Sequence, residues 1–210
     1  MSAATAAPTG ASPDEIRFVS RVTAWILTVG GAVGLLAAAT LTVEKINLLA
    51  DPSYVPTCSL NPILSCGSVM TTPQAEVFGF PNPLIGIAGF AVVTTVGVLA
   101  LAGVPLPRWF WLGLQAGVTF GVVFVHWLIY QSVYVIGALC PYCMVVWAVT
   151  IPIFLYTTLR TLTTVLTRPA RMRAAAAGAA RYHSLILVVW FGVIVVAILF
   201  RFWDYWRTLL

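Results

Sequence analysis

The chain has 210 residues, 60% of them hydrophobic and only 8% charged, with a net charge of +5. An average soluble domain is roughly 25% charged, so this chain has too few charges to cover a water-facing surface, and most of that surface must meet lipid. A soluble globular protein is excluded, and the positive surplus falls where membrane topology would place it, giving no reason to invoke nucleic acid.

Residues 1–15 are rich in Ala, Thr, Ser and Pro and predict a disordered tail, drawn as a unit to residue 20 on the cytoplasmic side. An uncharged run from Val22 to Val43, bounded by Arg21 and Glu44, predicts the first spanning helix. The run is longer than the about 7–15 residues of a signal-peptide core, which argues against cleavage near the small residues Ala37–Ala39. A loop is predicted over 44–83. The second span starts near Leu84 and ends around Gly103, before Pro105 and Pro107. Trp109–Leu159 contains no Asp, Glu, Lys or Arg. A span takes about 20 residues, so this run predicts two helices with a tight turn near Gln131–Gly137. A basic connector over 161–181 leads to a fifth apolar run, Tyr182–Phe200, within a last segment 182–210. The expected fold class is all-α and membrane-integral, with no barrel-like alternation.

With the N-terminus inside, the inner segments carry Arg17, Arg21, Arg108, Arg160, Arg168, Arg171, Arg173 and Arg181, and the outer ones only Lys45, Arg201 and Arg207. Basic residues favour the cytoplasmic side. Loop 44–83, the turn before Cys140 and the C-terminus are therefore expected outside a plasma (inner) membrane.

All four cysteines, Cys58, Cys66, Cys140 and Cys143, then fall on the outer side, where paired thiols oxidise. Cys140-Pro-Tyr-Cys143 heads the fourth span. Proline suits the first helical position, which puts Cys140 at the N-cap, where the helix dipole stabilises a thiolate. Cys58 and Cys66 flank Pro62 and precede Gly67, so they ride on irregular chain able to present a thiol first to a soluble protein and then to a fixed acceptor. Two structural disulfides would also suit the compartment. Zinc shares the spacing but needs two more ligands, so no metal is expected. His126 and His183 are expected to pack.

These cysteines, the run Ser-Cys-Gly-Ser-Val-Met-Thr-Thr-Pro-Gln-Ala-Glu-Val-Phe-Gly-Phe-Pro-Asn-Pro-Leu-Ile-Gly from Ser65, and a Cys-x-x-Cys opening a later span together resemble the vitamin K epoxide reductase family over roughly Ile46–Trp147. The resemblance implies a four-helix bundle around a quinone, over residues 21–160, capped by the first loop, with the fifth helix an addition. It implies a thiol:quinone oxidoreductase that reoxidises a separate thioredoxin-fold, DsbA-like partner, since the chain stops at Leu210 without such a domain. Cys58 would exchange with the partner, Cys66 would attack Cys140, and Cys143 would face the quinone. Asn82 would hydrogen-bond a quinone carbonyl, its alternative being a loop cap before Pro83. Thr72, which the resemblance also places among the quinone-binding residues, would with Pro73 start a short helix closing over the site. Trp147 stands where the family often has tyrosine, and its indole N–H still offers a donor. The ten-to-one excess of Arg over Lys suggests a GC-rich genome, which makes menaquinone the expected quinone. Quinone epoxide reduction and a scaffold with structural disulfides are the rival functions.

Overall fold

The computed structural model describes residues 13–165 and 178–208. Helix α1 spans Pro13–Ala50, α2 Cys66–Met70, α3 Pro83–Leu101, α4 Arg108–Tyr130, α5 Pro141–Arg160, α6 His183–Arg201 and α7 Trp203–Trp206. Among the described residues, five helices are long and apolar enough to cross a membrane: α1, α3, α4, α5 and α6. The chain is thus an all-α, multi-pass membrane protein, as its composition predicts.

Helix α1 outruns its uncharged stretch at both ends. Residues 13–20, assigned above to the tail, are helical, whereas 1–12 lie outside the described residues. Residues 44–50, assigned above to the loop, complete α1. The reason is local: Glu44 and Lys45 are good helix formers, and both find partners beside the membrane. The helix stops where Pro52 disfavours helical backbone at Asp51. There Asp51 Oδ1 accepts hydrogen bonds from the Ser53 N–H (2.9 Å) and hydroxyl (2.7 Å). Those bonds hold the Asp51 carboxyl below its ordinary pKa.

The uncharged run divides as predicted, into α4 and α5. Residues 131–136 continue α4 as a π-helical turn, and Gly137 ends it in the left-handed region at φ 71°, which glycine tolerates best. Helix α5 likewise runs on into a π turn, Thr161–Val165. Arg168, Arg171 and Arg173 of the connector lie outside the described residues.

Helix α1 is the hub, packing along α3 and α5, while α4 packs on α5 and barely meets α3. Lipid tails are as apolar as leucine, so close packing decides which helices associate. At Gly97 an added Cβ would lie 2.4 Å from the Thr28 nitrogen, and at Gly31 one would lie 2.9 Å from the Thr94 nitrogen. Backbone therefore meets backbone between α1 and α3. The core beside that contact is built from Leu27, Phe90, Val93, Val96, Trp111 and Leu114.

Helix α6 lies mostly against lipid, with Val188, Val193 and Phe200 exposed. Two histidines fasten it. His126 Nδ1 donates to Val122 O (2.7 Å) and its Nε2 accepts from Trp190 Nε1 (2.8 Å). His183 Nδ1 and the Tyr156 hydroxyl lie 2.6 Å apart. Both histidines are packing residues, as expected. At the far end Ile198 and Phe202 bury against Val133, Leu139 and Trp147, next to the cysteines.

Candidate active site: two cysteine pairs beside an apolar cavity

Cys140 occupies the N-cap of α5, with extended backbone (φ −102°, ψ 116°) and Pro141 following. Its sulfur accepts the Cys143 backbone N–H at 3.3 Å, filling one of the orphan donors of the helix start. The Cys140 thiol is held below its ordinary pKa, chiefly by the hydrogen bond from the Cys143 side chain. The backbone N–H groups of Cys143 and Tyr142 add to this, and burial opposes it.

The loop reaches this helix tip by a short backbone pairing. Leu64 and Leu139 form a parallel bridge: Leu139 N donates to Ile63 O (2.7 Å) and Ser65 N to Leu139 O (2.9 Å). That register delivers Cys66 to Cys140. Ser65 then caps α2, its hydroxyl accepting from Ser68 N at 3.2 Å, so Cys66 is the first residue of its own short helix. Cys58 and Cys66 are joined in a disulfide, Cα–Cα 5.5 Å, whereas Cys140 and Cys143 are free thiols. Cys66 Sγ lies 3.2 Å from Cys140 Sγ, and because Cys66 is already bonded to Cys58, any proton between them belongs to Cys140. Cys58, Cys66 and Cys140 are all buried, at 5%, 0% and 0% exposure.

Cys143 packs beside Cys140 and also lines a cavity of about 660 Å³ walled by α1, α3, α4, α5 and the loop. Its walls are apolar, with Asn82, Gln74, Lys45 and Trp147 among the few polar groups at the cysteine end. The cavity opens between α3 and α4, where Gly89, Gly113 and Gly117 face empty space. The shape suits a flat polar headgroup with a long apolar tail.

The other predicted residues divide. Trp147 is buried and lines the cavity. Asn82 also lines it, but its side chain caps the loop as well: Nδ2 donates to Gln74 O (2.7 Å) and Oδ1 accepts from Val77 N (3.2 Å). One amide hydrogen is left for a ligand. Thr72 precedes the 3₁₀ turn Pro73–Glu76, the short helix expected above. Its hydroxyl donates to Val69 O (2.7 Å), and it is not among the cavity-lining residues.

Composition gave no weight to Glu44 and Lys45 beyond marking the end of a span. Glu44 is 5% exposed and accepts from the Tyr54 hydroxyl (2.9 Å), Thr57 N (3.3 Å) and the Thr57 hydroxyl, fixing the chain just before Cys58. Lys45 Nζ lies 2.8 Å from Glu76 and donates to Met70 O at 2.8 Å, fixing the chain just after α2. Adjacent opposite charges at the edge of an apolar run were the available signal, since buried charges must be paired.

The profile of the Vitamin K epoxide reductase family matches residues 25–158, well over half of the chain. The protein belongs to that family. It is therefore a membrane oxidoreductase, of a family whose members use quinones. The matched region takes in both cysteine pairs, the loop clamps, two of the five candidate spans whole and most of two more. Helix α6 lies beyond the matched residues, and only its C-terminal end packs against the cysteine end.

Proposed function

We propose that this protein oxidises the dithiol of a soluble thioredoxin-fold protein and delivers the two electrons to a membrane quinone, menaquinone by expectation. The single observation that carries this proposal is the sulfur path. Cys66 lies 3.2 Å from Cys140, and the next thiol along the helix, Cys143, lines an apolar cavity.

The partner's thiolate attacks the Cys58–Cys66 disulfide at Cys58. A second thiol of the partner resolves that bond, leaving the partner oxidised and Cys58 and Cys66 as thiols. Cys66 thiolate then attacks Cys140 of an oxidised Cys140–Cys143 pair, expelling Cys143 as thiolate. Cys58 resolves the Cys66–Cys140 bond, so the loop disulfide returns and Cys140 and Cys143 are left reduced. The described arrangement, with loop oxidised and helix pair reduced, corresponds to this stage. A quinone bound in the cavity accepts two electrons and two protons and leaves as quinol while the Cys140–Cys143 disulfide re-forms. Cys143, as the cavity-lining thiol, is the residue that meets it. The free amide hydrogen of Asn82 and the indole N–H of Trp147 would donate to its oxygens, where negative charge develops. Thr72 would serve indirectly, by holding the turn that carries Gln74.

Because Cys58 is buried, the loop must open for the partner to attack. Val55 and Leu60, 71% and 68% exposed, offer apolar contacts on either side of it. Arg17, Arg21, Arg108, Arg160 and Arg181 gather at the far end, which favours the cysteine end lying outside.

The test is anaerobic. Quinol formation is followed spectroscopically with reduced thioredoxin-fold donor, purified protein and menaquinone. Turnover that disappears separately in Cys58→Ala, Cys66→Ala, Cys140→Ala and Cys143→Ala supports the relay. Turnover indifferent to all four, or absent with every donor and quinone, refutes it and leaves structural disulfides as the better account.

A further inference from the structure

At the end of the bundle opposite the cysteines, α1, the turn after α3, the start of α4 and the end of α5 enclose a groove of about 880 Å³. Its polar lining is cationic: Arg17, Arg21 and Arg160 contribute to it, and no carboxylate lines it among the described residues. Asp14 pairs with Arg17 at 2.9 Å, but both side chains are at least 80% exposed, so that pair holds Arg17 only weakly. Arg21 is exposed.

Arg160 is the distinctive member. Its guanidinium carbon lies 4.0 Å over the Trp111 ring, and Trp111 is itself buried, so the planar group is fixed in orientation. Nη1 makes one long contact, 3.4 Å to Ser20 O. Nε is buried with no hydrogen-bond partner among the described residues. A guanidinium has five N–H donors in a rigid fork, and among the described residues only Nη1 has an acceptor. Arg160 lines the groove, which supplies no carboxylate among the described residues, so an anion there would meet the unfilled N–H groups of the fork. Beside these cations the walls are apolar, and Phe18 and Trp25 stand 54% and 55% exposed at the groove. Cationic donors next to apolar surface match a phosphate attached to an acyl chain.

We propose that this groove binds the phosphate of an anionic phospholipid, with Arg160 and Arg21 on the phosphate oxygens and the acyl chains along Phe18 and Trp25. Basic pockets between spanning helices are suited to anionic headgroups in this way, and a stacked arginine presents its fork to phosphate in a fixed plane. A free phosphate ion would satisfy the same donors but not the apolar wall.

Native mass spectrometry of the full chain, released from neutral detergent after incubation with phosphatidylglycerol or with phosphatidylcholine, reads the site directly. Preferential retention of phosphatidylglycerol is expected, weakened about fivefold by Arg160→Gln or by Arg21→Gln. Arg160→Gln also removes the stack on Trp111, so the exposed Arg21→Gln keeps the test valid if the first variant misfolds. A rise in thermal midpoint with phosphatidylglycerol and none with inorganic phosphate is the second expected result. Equal retention of the two lipids, or unchanged retention in Arg21→Gln, would overturn the proposal. A midpoint shift with inorganic phosphate alone would overturn the lipid assignment in favour of a soluble anion. No thiol is involved in these readouts, so their outcome is independent of the redox cycle.

Discussion

The two cysteine pairs meet sulfur to sulfur, yet the chain holds them by opposite means. Cys140 and Cys143 are placed by a regular element: the N-cap of α5 fixes Cys140, and one helical turn fixes Cys143 relative to it. Cys58 and Cys66 sit on chain that is regular only across the five residues of α2, and their position depends on long-range anchors. These are Glu44 below Thr57, Lys45 below Met70 and the Leu64–Leu139 bridge. A helix tip resists displacement because its hydrogen bonds are local and cooperative. A clamped loop opens when a few side-chain bonds break. The fixed pair suits an acceptor that stays in the cavity, and the clamped pair suits a partner that comes and goes.

The largest effect comes from interrupting the path at its junction. In Cys58→Ala, nothing resolves the bond that Cys66 forms on Cys140, so a Cys66–Cys140 disulfide is expected to accumulate with Cys143 left as a free thiol. Peptide mapping under non-reducing conditions should find that bond, and quinol formation should fall by about a thousandfold or more, as when a covalent nucleophile is removed. Recovery of Cys140–Cys143 alone from Cys58→Ala, with Cys66 free, would mean that the 3.2 Å approach is not used for exchange.

Loosening the clamps should act on one pair only. Glu44→Ala leaves the Tyr54 hydroxyl and the Thr57 N–H and hydroxyl without their acceptor, and each side-chain loss of this kind costs about 1–3 kcal/mol. Lys45→Met leaves the Met70 carbonyl and Glu76 unpartnered, with a similar cost. Faster alkylation of Cys58 after mild reduction, with the thermal midpoint lowered, is the expected signature. Equal acceleration at Cys143 would show instead that the whole cysteine end is loosened, and the contrast between the pairs would fail.

A smaller effect separates the pairs by titration. Cys140 ionises below the ordinary thiol value because Cys143 and the first backbone N–H groups of α5 stabilise its thiolate. Thiolate absorbance of the reduced protein, less that of Cys140→Ser, should therefore appear at lower pH than for an unstructured cysteine, which titrates near about 8.5. The sign for stability follows. The contribution is fully present above that unfolded value and is lost as pH falls through the lower folded one. A Cys140 step at or above the free value would remove the N-cap from the mechanism.

How far the sequence spoke for itself differs between the same two regions. The number of spans, the break inside Trp109–Leu159 and the N-cap place of Cys140 all follow from charge, length and proline position, which act locally. The reach of α1 did not follow, because Glu44 and Lys45 end an apolar run without ending a helix. Their partners are 10–31 residues away in sequence (Tyr54, Thr57, Met70 and Glu76), and no local pattern encodes such pairings. The same holds for the Leu64–Leu139 bridge, which brings Cys66 to Cys140. Helix α6 was legible as a span, but its burial of Ile198 and Phe202 against Leu139 and Trp147 was not.

The smallest expected effect distinguishes two loop residues that the family resemblance assigned to the same ligand. Asn82 lines the cavity and caps the loop with two hydrogen bonds, whereas the Thr72 hydroxyl only donates to Val69 O. Asn82→Ala should lower stability and also raise the KM for quinone, because a donor facing the cavity is lost. Thr72→Val keeps its shape and loses one hydrogen bond, so a stability loss of about 0.5–1.5 kcal/mol is expected, with the quinone KM unchanged. Thermal midpoints paired with quinone titrations at saturating thiol donor read both quantities. If Thr72→Val instead raises the quinone KM at unchanged stability, its hydroxyl must turn from Val69 toward the cavity when the site is filled. The 3₁₀ turn at Pro73–Glu76 would then be a moving part of the site, and the clamp on Glu76 by Lys45 would have to release in the same step.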